Sequence, residues 1–104
     1  MGKRVHACKK DVNQTSIEED LKSLPGISFS DTSKLGDGFP DLVVGFRNVN
    51  YLFEIKNPDM PPSKRKLTDK EAKFQARWSG QYSVCCRTSE ILEVINYPIG
   101  EGWE

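Results

Sequence analysis

Asp41 follows Pro40 at the head of an apolar run, and after twelve intervening residues Glu54-Ile55-Lys56 closes a second one. Side chains alternate along a strand, so Glu54 and Lys56 share a face and Ile55 takes the other. Leu42, Val43, Val44 and Phe46 are strand formers, as are Tyr51, Leu52, Phe53 and Ile55, and Arg47-Asn48-Val49-Asn50 between them reads as a hairpin turn. A two-residue loop at Arg47-Asn48 sets Asp41 directly opposite Glu54. A loop at Asn48-Val49 keeps the two acids on one face, and only an odd-length loop separates them. Like charges opposite one another destabilise a hairpin by ~0.2 to 1 kcal/mol, so a cation is expected between them. Carboxylate oxygens suit Mg²⁺ or Mn²⁺, which bind through one or two protein carboxylates and keep most of their waters. Such an ion lowers the pKa of bound water, and Lys56 beside it can offset charge on a phosphate. The set suggests phosphodiester hydrolysis. Without a cation, Glu54 and Lys56 would be a surface pair worth ~0 to 1 kcal/mol, and Asp41 a turn residue after proline.

The surrounding elements must position these three residues. Asp11 is a good helix N-cap with Gln14 three residues on, and Ile17, Leu21 and Leu24 follow at helical spacing up to Pro25-Gly26. A start at Ser16 with Glu19 as capping partner is the alternative. Ile27 to Asp31 reads as a short strand, and the stretch from Thr32 to Phe39 as a loop. After the hairpin, Asn57 to Lys66 is rich in proline and charge and is expected to be an exposed loop. Thr68 and Glu71 form a T-x-x-E capping box, with Ala72, Phe74 and Trp78 on the buried side of a second helix stopping at Gly80. Tyr82 to Cys86 reads as a strand, and Ser89 to Asn96 as a third helix with Ile91, Leu92 and Ile95 inward. The order is α-β-β-β-α-β-α, an α/β domain over residues 11–96 between a basic arm (1–10) and an irregular tail (97–104).

At 104 residues the chain has material for one small core. Lys and Arg total 15 and so do Asp and Glu, yet the balance hides a polarised distribution. Lys3, Arg4, Lys9 and Lys10 make the amino end basic, and Lys64, Arg65, Lys66, Lys70, Lys73 and Arg77 outnumber Asp69 and Glu71. Lysine-rich patches of this kind fit a phosphate-bearing partner, contacting its backbone without reading bases. A solvated basic helix has the same sequence signature. No apolar run is long enough for a membrane span or a signal peptide, so the protein is expected in the cytoplasm, away from membranes. The three cysteines cannot build a disulfide framework, have no C-x-x-C spacing and read as reduced thiols, and adjacent Cys85 and Cys86 would chelate zinc awkwardly with His6 and Cys8.

The stretch Gly36-Asp37-Gly38-Phe39-Pro40-Asp41-Leu42-Val43-Val44-Gly45, then Asn50-Tyr51-Leu52-Phe53-Glu54-Ile55-Lys56, then Pro61-Pro62-Ser63 and Leu67-Thr68 with Glu71 and Trp78, resembles the small stand-alone VRR-NUC proteins of phages and prophages, in the PD-(D/E)XK nuclease superfamily. The resemblance runs from about Asp11 to Ile95. It implies a restriction-endonuclease-like fold with a central mixed sheet flanked by helices, a divalent metal, no organic cofactor, and a homodimer. The implied activity is that of a structure-selective DNA endonuclease of the Holliday-junction-resolving kind. Flap, nick or non-specific DNA cleavage at the same site, or an inactive DNA-binding module, are the alternatives.

Carried over by position, the resemblance makes Asp41 and Glu54 metal ligands, adds the backbone carbonyl of Ile55, and assigns Lys56 as the catalytic lysine. Many relatives carry a Glu on the first helix, where this chain has Asn13 and Gln14, with Glu18 one turn on. Gln14 is taken as the corresponding site residue, reaching the metal through water. Glu71 stands where many relatives have Gln and either adds a site carboxylate or only completes the capping box. Gln75 is read as a surface neighbour and Asp37 as a turn residue.

Overall fold

The computed structural model describes residues 12–98. The basic arm, the Asp11 cap, His6, Cys8 and the end of the tail lie outside the described residues. Four helical segments and four strands follow in the order α1 (Val12–Lys22), β1 (Ile27–Asp31), β2 (Leu42–Phe46), β3 (Val49–Ile55), α2 (Pro62–Arg65), α3 (Asp69–Arg77), β4 (Ser83–Cys85) and α4 (Thr88–Ile95). The strands form one mixed sheet in the order β1-β2-β3-β4. The first three run antiparallel to their neighbours, while β4 lies parallel to β3 after the crossover through α2 and α3. The expected α/β class and a four-stranded mixed sheet with helices are present.

The hairpin register follows from its turn. Arg47 and Asn48 both take positive φ, 53° and 68°, the backbone twist a two-residue hairpin loop demands. Leu42 therefore pairs Phe53, Val44 pairs Tyr51 and Phe46 pairs Val49. One step beyond the ladder, Asp41 faces Glu54.

One sheet face carries the main core. Leu42, Val44, Phe53 and Ile55 pack against Ile17 and Leu21 of α1 and Ile91, Leu92 and Ile95 of α4. Each such fully buried side chain contributes roughly 1.5 to 3 kcal/mol by leaving water. In α1 the buried positions are Gln14, Ile17 and Leu21, a single stripe in which a polar residue occupies an otherwise apolar row. Val12 to Thr15 are already helical, so the alternative start at Ser16 does not hold. Tyr97, assigned from the sequence to the tail, packs against Phe46 with ring centres 5.2 Å apart and planes tilted by 44°, and donates its hydroxyl to the Pro25 carbonyl at 2.9 Å, extending the packed unit past α4.

Several expectations need correction. The stretch expected to be loop from Asn57 to Lys66 contains the one-turn helix α2, possible because Pro62 stands at its first position, where no N–H is needed. Helix α3 ends at Arg77 rather than running to Gly80: the Trp78 N–H bonds back to the carbonyls of Phe74 and Gln75, and its backbone then leaves the helix. Ala72 is exposed rather than buried, because two residues turn it to the far side of α3 from Phe74. Trp78 is 38% exposed, whereas Phe74 is 2% exposed and forms the small second core under α3. No helix among the described residues is long and apolar enough to cross a membrane.

Candidate functional site

Asp41 is fixed from both sides of the chain. Its carbonyl accepts the Thr32 N–H at 2.9 Å, and the Thr32 hydroxyl donates to the Pro40 carbonyl at 2.7 Å. Before it, Gly38 has φ +78° and lies so close to the Lys70 carbonyl that a Cβ would overlap it, which seats this loop directly on α3. Phe39 then meets Phe74 edge-on at 5.3 Å. The Asp41 carboxylate accepts the Ile55 N–H at 2.9 Å, joining the head of β2 to the end of β3.

Glu54 is 2% exposed, and its Oε1 has no hydrogen-bond partner. Its Oε2 lies 3.6 Å from the Lys56 ammonium. That ammonium donates to Glu71 Oε1 at 2.8 Å, and the same oxygen accepts the Thr68 N–H at 2.8 Å. Glu71 thus fills both of its possible roles, closing the capping box of α3 and bringing a carboxylate into the site. Burial, aided by a hydrogen bond to Glu71 and by the charges of Asp41 and Glu71, pushes the Glu54 carboxyl far above the ordinary carboxylate range. Burial acts upward on Glu71 too, but its hydrogen bonds with Glu54, Lys56 and the Thr68 backbone outweigh it and hold this carboxyl below its usual value. Glu54 in this arrangement calls for either a proton or a cation.

The first helix reaches the same end of the sheet. The Gln14 amide donates to Glu18 Oε2 at 2.9 Å, Asp31 Oδ1 at 3.2 Å and the Asp41 carbonyl at 3.2 Å. Three surrounding acceptors orient the amide so that its Oε1, fully buried, is left without a partner. The choice between Gln14 and Glu18 is therefore not exclusive, since the two are hydrogen-bonded. Asn13 donates to the Lys56 and Cys86 carbonyls, each at 3.0 Å, tying β3 to the chain after β4.

The residues fit a hard divalent cation of the kind that keeps most of its waters. Such an ion binds through one or two protein carboxylates; among the described residues no group of three or more Asp, Glu, His or Cys side chains is arranged to hold a metal. Asp41 and Glu54 are the paired carboxylates, Glu54 Oε1 has no hydrogen-bond partner, and Gln14 Oε1 is a further buried oxygen without one. Ile55 ends β3, its N–H taken by the Asp41 carboxylate.

Lys64, Arg65, Lys66, Lys70, Lys73 and Arg77 are all exposed, along α2 and α3 on the side of the sheet from which Glu71 reaches Lys56. Lys70 stands 3.9 Å from Asp37, both in solvent, and the Arg77 guanidinium lies 4.7 Å from the centre of the Phe74 ring. Gln75 is exposed, as expected. Cys85 and Cys86 are free thiols, and burial pushes Cys85 up to about 12.

Sequence reasoning missed two site residues. Asp31 ends β1 opposite Leu42 and accepts Gln14 as well as the Ser33 N–H and hydroxyl; its position becomes visible only once β1 is paired with β2. The Tyr82 hydroxyl is buried without a partner, and burial together with the charges of Glu54, Glu71 and Asp41 raises its pKa, keeping it a neutral donor. Its spacing of two from Val84, which pairs Glu54, was the available signal. Comparison with known proteins returns no matching family model, no matching curated protein and no matching solved structure.

Proposed function

We propose that the protein is a Mg²⁺- or Mn²⁺-dependent endonuclease of the PD-(D/E)XK type that acts on branched DNA, four-way junctions above all, as a symmetric homodimer. The observation that carries the reading is the placement of Asp41 opposite Glu54 on neighbouring strands, with the Lys56 ammonium 3.6 Å from Glu54. Asp41 and Glu54 would hold the cation, joined by the Ile55 carbonyl and, through water, by Gln14. When bound, the ion would activate a water and stabilise charge on phosphate oxygens. The chain's own part is positional. Glu71 and Glu54 hold the Lys56 ammonium at the site, where it donates to a non-bridging phosphate oxygen and offsets the charge that grows in the transition state. Lys64, Arg65 and Lys66 contact the flanking phosphates, a salt-sensitive role that orients DNA without reading it. One subunit carries one such site, so paired incisions across a junction require two protomers or two encounters.

The test is incubation of the purified protein with matched four-way junction, flap and linear duplex DNA, in Mn²⁺, Mg²⁺ or EDTA, beside Glu54→Ala. Paired symmetric cuts in the junction that need metal and vanish in the variant are expected. Equal cutting of all substrates would retain the chemistry and discard the junction preference. A junction bound but never cut would make the protein a DNA-binding module.

A further inference from the structure

Helix α3 presents a second feature to any polynucleotide that enters the site. Trp78 lies seven residues after Glu71, two helical turns along the same face and about 10 Å from it in rise. Its indole stacks on Phe74 with ring centres 5.0 Å apart and planes inclined by 20°. Phe74 in turn is fixed by Phe39, two residues before Asp41, and by Tyr82 at 5.9 Å. The indole is therefore backed by a rigid ring that itself touches the loop holding the candidate catalytic carboxylate.

Its pose is built rather than incidental. The Trp78 N–H closes the end of α3, and Gly80 passes so near the indole that a Cβ there would lie 2.9 Å from Nε1. Any other residue at position 80 would press on the ring. Against this ordering, 38% of the residue remains exposed, at the end of a helix whose Lys70, Lys73 and Arg77 are all in solvent. A large aromatic held flat against a core ring, open to solvent and flanked by cations, has the composition of a stacking platform for single-stranded nucleic acid.

We infer that Trp78 is a base-stacking site that takes an unpaired nucleobase of the strand whose phosphate lies at Lys56. The inference rests on the nuclease reading for the direction of that strand, and it ties structure selectivity to an unpaired nucleotide beside the cut. Fully paired duplex leaves the platform empty, because its bases are already stacked on each other.

The experiment is done in EDTA, so that binding is read without cleavage. With Trp103→Phe leaving Trp78 as the sole indole, titration with oligo-dT is expected to quench the fluorescence, and a fully paired duplex of equal length is not. Trp78→Ala is expected to weaken oligo-dT binding about 5- to 150-fold, the range of one lost base stack, while Trp78→Tyr retains most of the affinity. Thermal melts of both variants show whether the fold is kept, and Trp78→Tyr carries the test if Trp78→Ala melts early. Binding of oligo-dT without quenching, affinity within twofold of wild type in Trp78→Ala, or no binding at all overturns the platform. Quenching without metal-dependent cutting of any DNA would keep the platform and reject the nuclease reading, and full cutting by Trp78→Ala would do the reverse.

Discussion

The Lys56 ammonium donates to Glu71 Oε1 at 2.8 Å, so the candidate catalytic lysine of the hairpin is oriented by the residue that caps the following helix. Glu71→Gln keeps an oxygen for the Thr68 N–H but removes the charge that holds Lys56. The expected result is a melting temperature close to wild type with cleavage reduced about tenfold, whereas Glu71→Ala also loses the cap and about 1 kcal/mol of stability. Cleavage at the wild-type rate by Glu71→Gln, with Glu71→Ala alone impaired in parallel melts and cleavage assays, would show that only the cap matters.

Lys56 and Lys66 divide chemistry from binding. Lys56→Ala is expected to lower cleavage about 10² to 10³-fold while DNA affinity persists. Lys66→Ala, at an exposed position, is expected to weaken binding across all substrates and reduce the slope of log affinity against log salt by about 1. Equal loss of binding in both variants would sink the division.

Buried Glu54 makes the cation-free protein pH-sensitive. Its carboxyl is raised from 4.5 to about 10, chiefly by burial, so between those values the folded state binds more protons than the unfolded one and stability falls as pH rises. Glu71 shifts the opposite way, and its contribution is lost only as pH falls below the ordinary carboxylate value. Melts in EDTA are expected to show wild type declining relative to Glu54→Gln as pH is raised above about 5. Mn²⁺ should restore wild type and leave Glu54→Gln unmoved; parallel pH profiles for the two proteins would contradict this.

Two glycines of the loop before Asp41 separate backbone strain from steric overlap. Gly36 and Gly38 both have φ near +80°, but Gly36 has open space around it while Gly38 abuts the Lys70 carbonyl. Gly36→Ala is expected to cost about 1 to 2 kcal/mol from strain alone. Gly38→Ala should cost more, in urea melts, because α3 must also move; the reverse order would mean that the loop does not rest on the helix.

Tyr82→Phe removes a buried hydroxyl that has no partner. An apolar replacement of the same shape leaves no unsatisfied group, so the melting temperature should stay level or rise. A fall of more than about 1 kcal/mol would reveal a bond made by that hydroxyl.

Local chemistry made much of this fold legible from the residues. The strands β1 and β2, the Arg47-Asn48 turn, the Thr68–Glu71 capping box and the inward Ile91, Leu92 and Ile95 depend on neighbours within a few positions, and periodicity reports such neighbours directly. The turn then determined that Asp41 faces Glu54, since a two-residue loop leaves one register. What the tertiary structure alone decided is who else arrives there. Gln14 has a capping position in the sequence and a place at the site only through the resemblance, whereas the fold is what makes its amide gather Glu18, Asp31 and the Asp41 carbonyl, three groups from separate segments. Glu71 has its cap written in the sequence and its hold on Lys56 written only in the crossover that lays α3 over the sheet. Trp78 has core composition but stands past the last turn of a helix with one buried residue, so the packing of Phe74 beneath it, rather than its own hydrophobicity, left it at the surface. Spacing along the chain encodes which face a side chain takes; which other face it meets depends on long-range packing, where distant segments compete for the same buried volume.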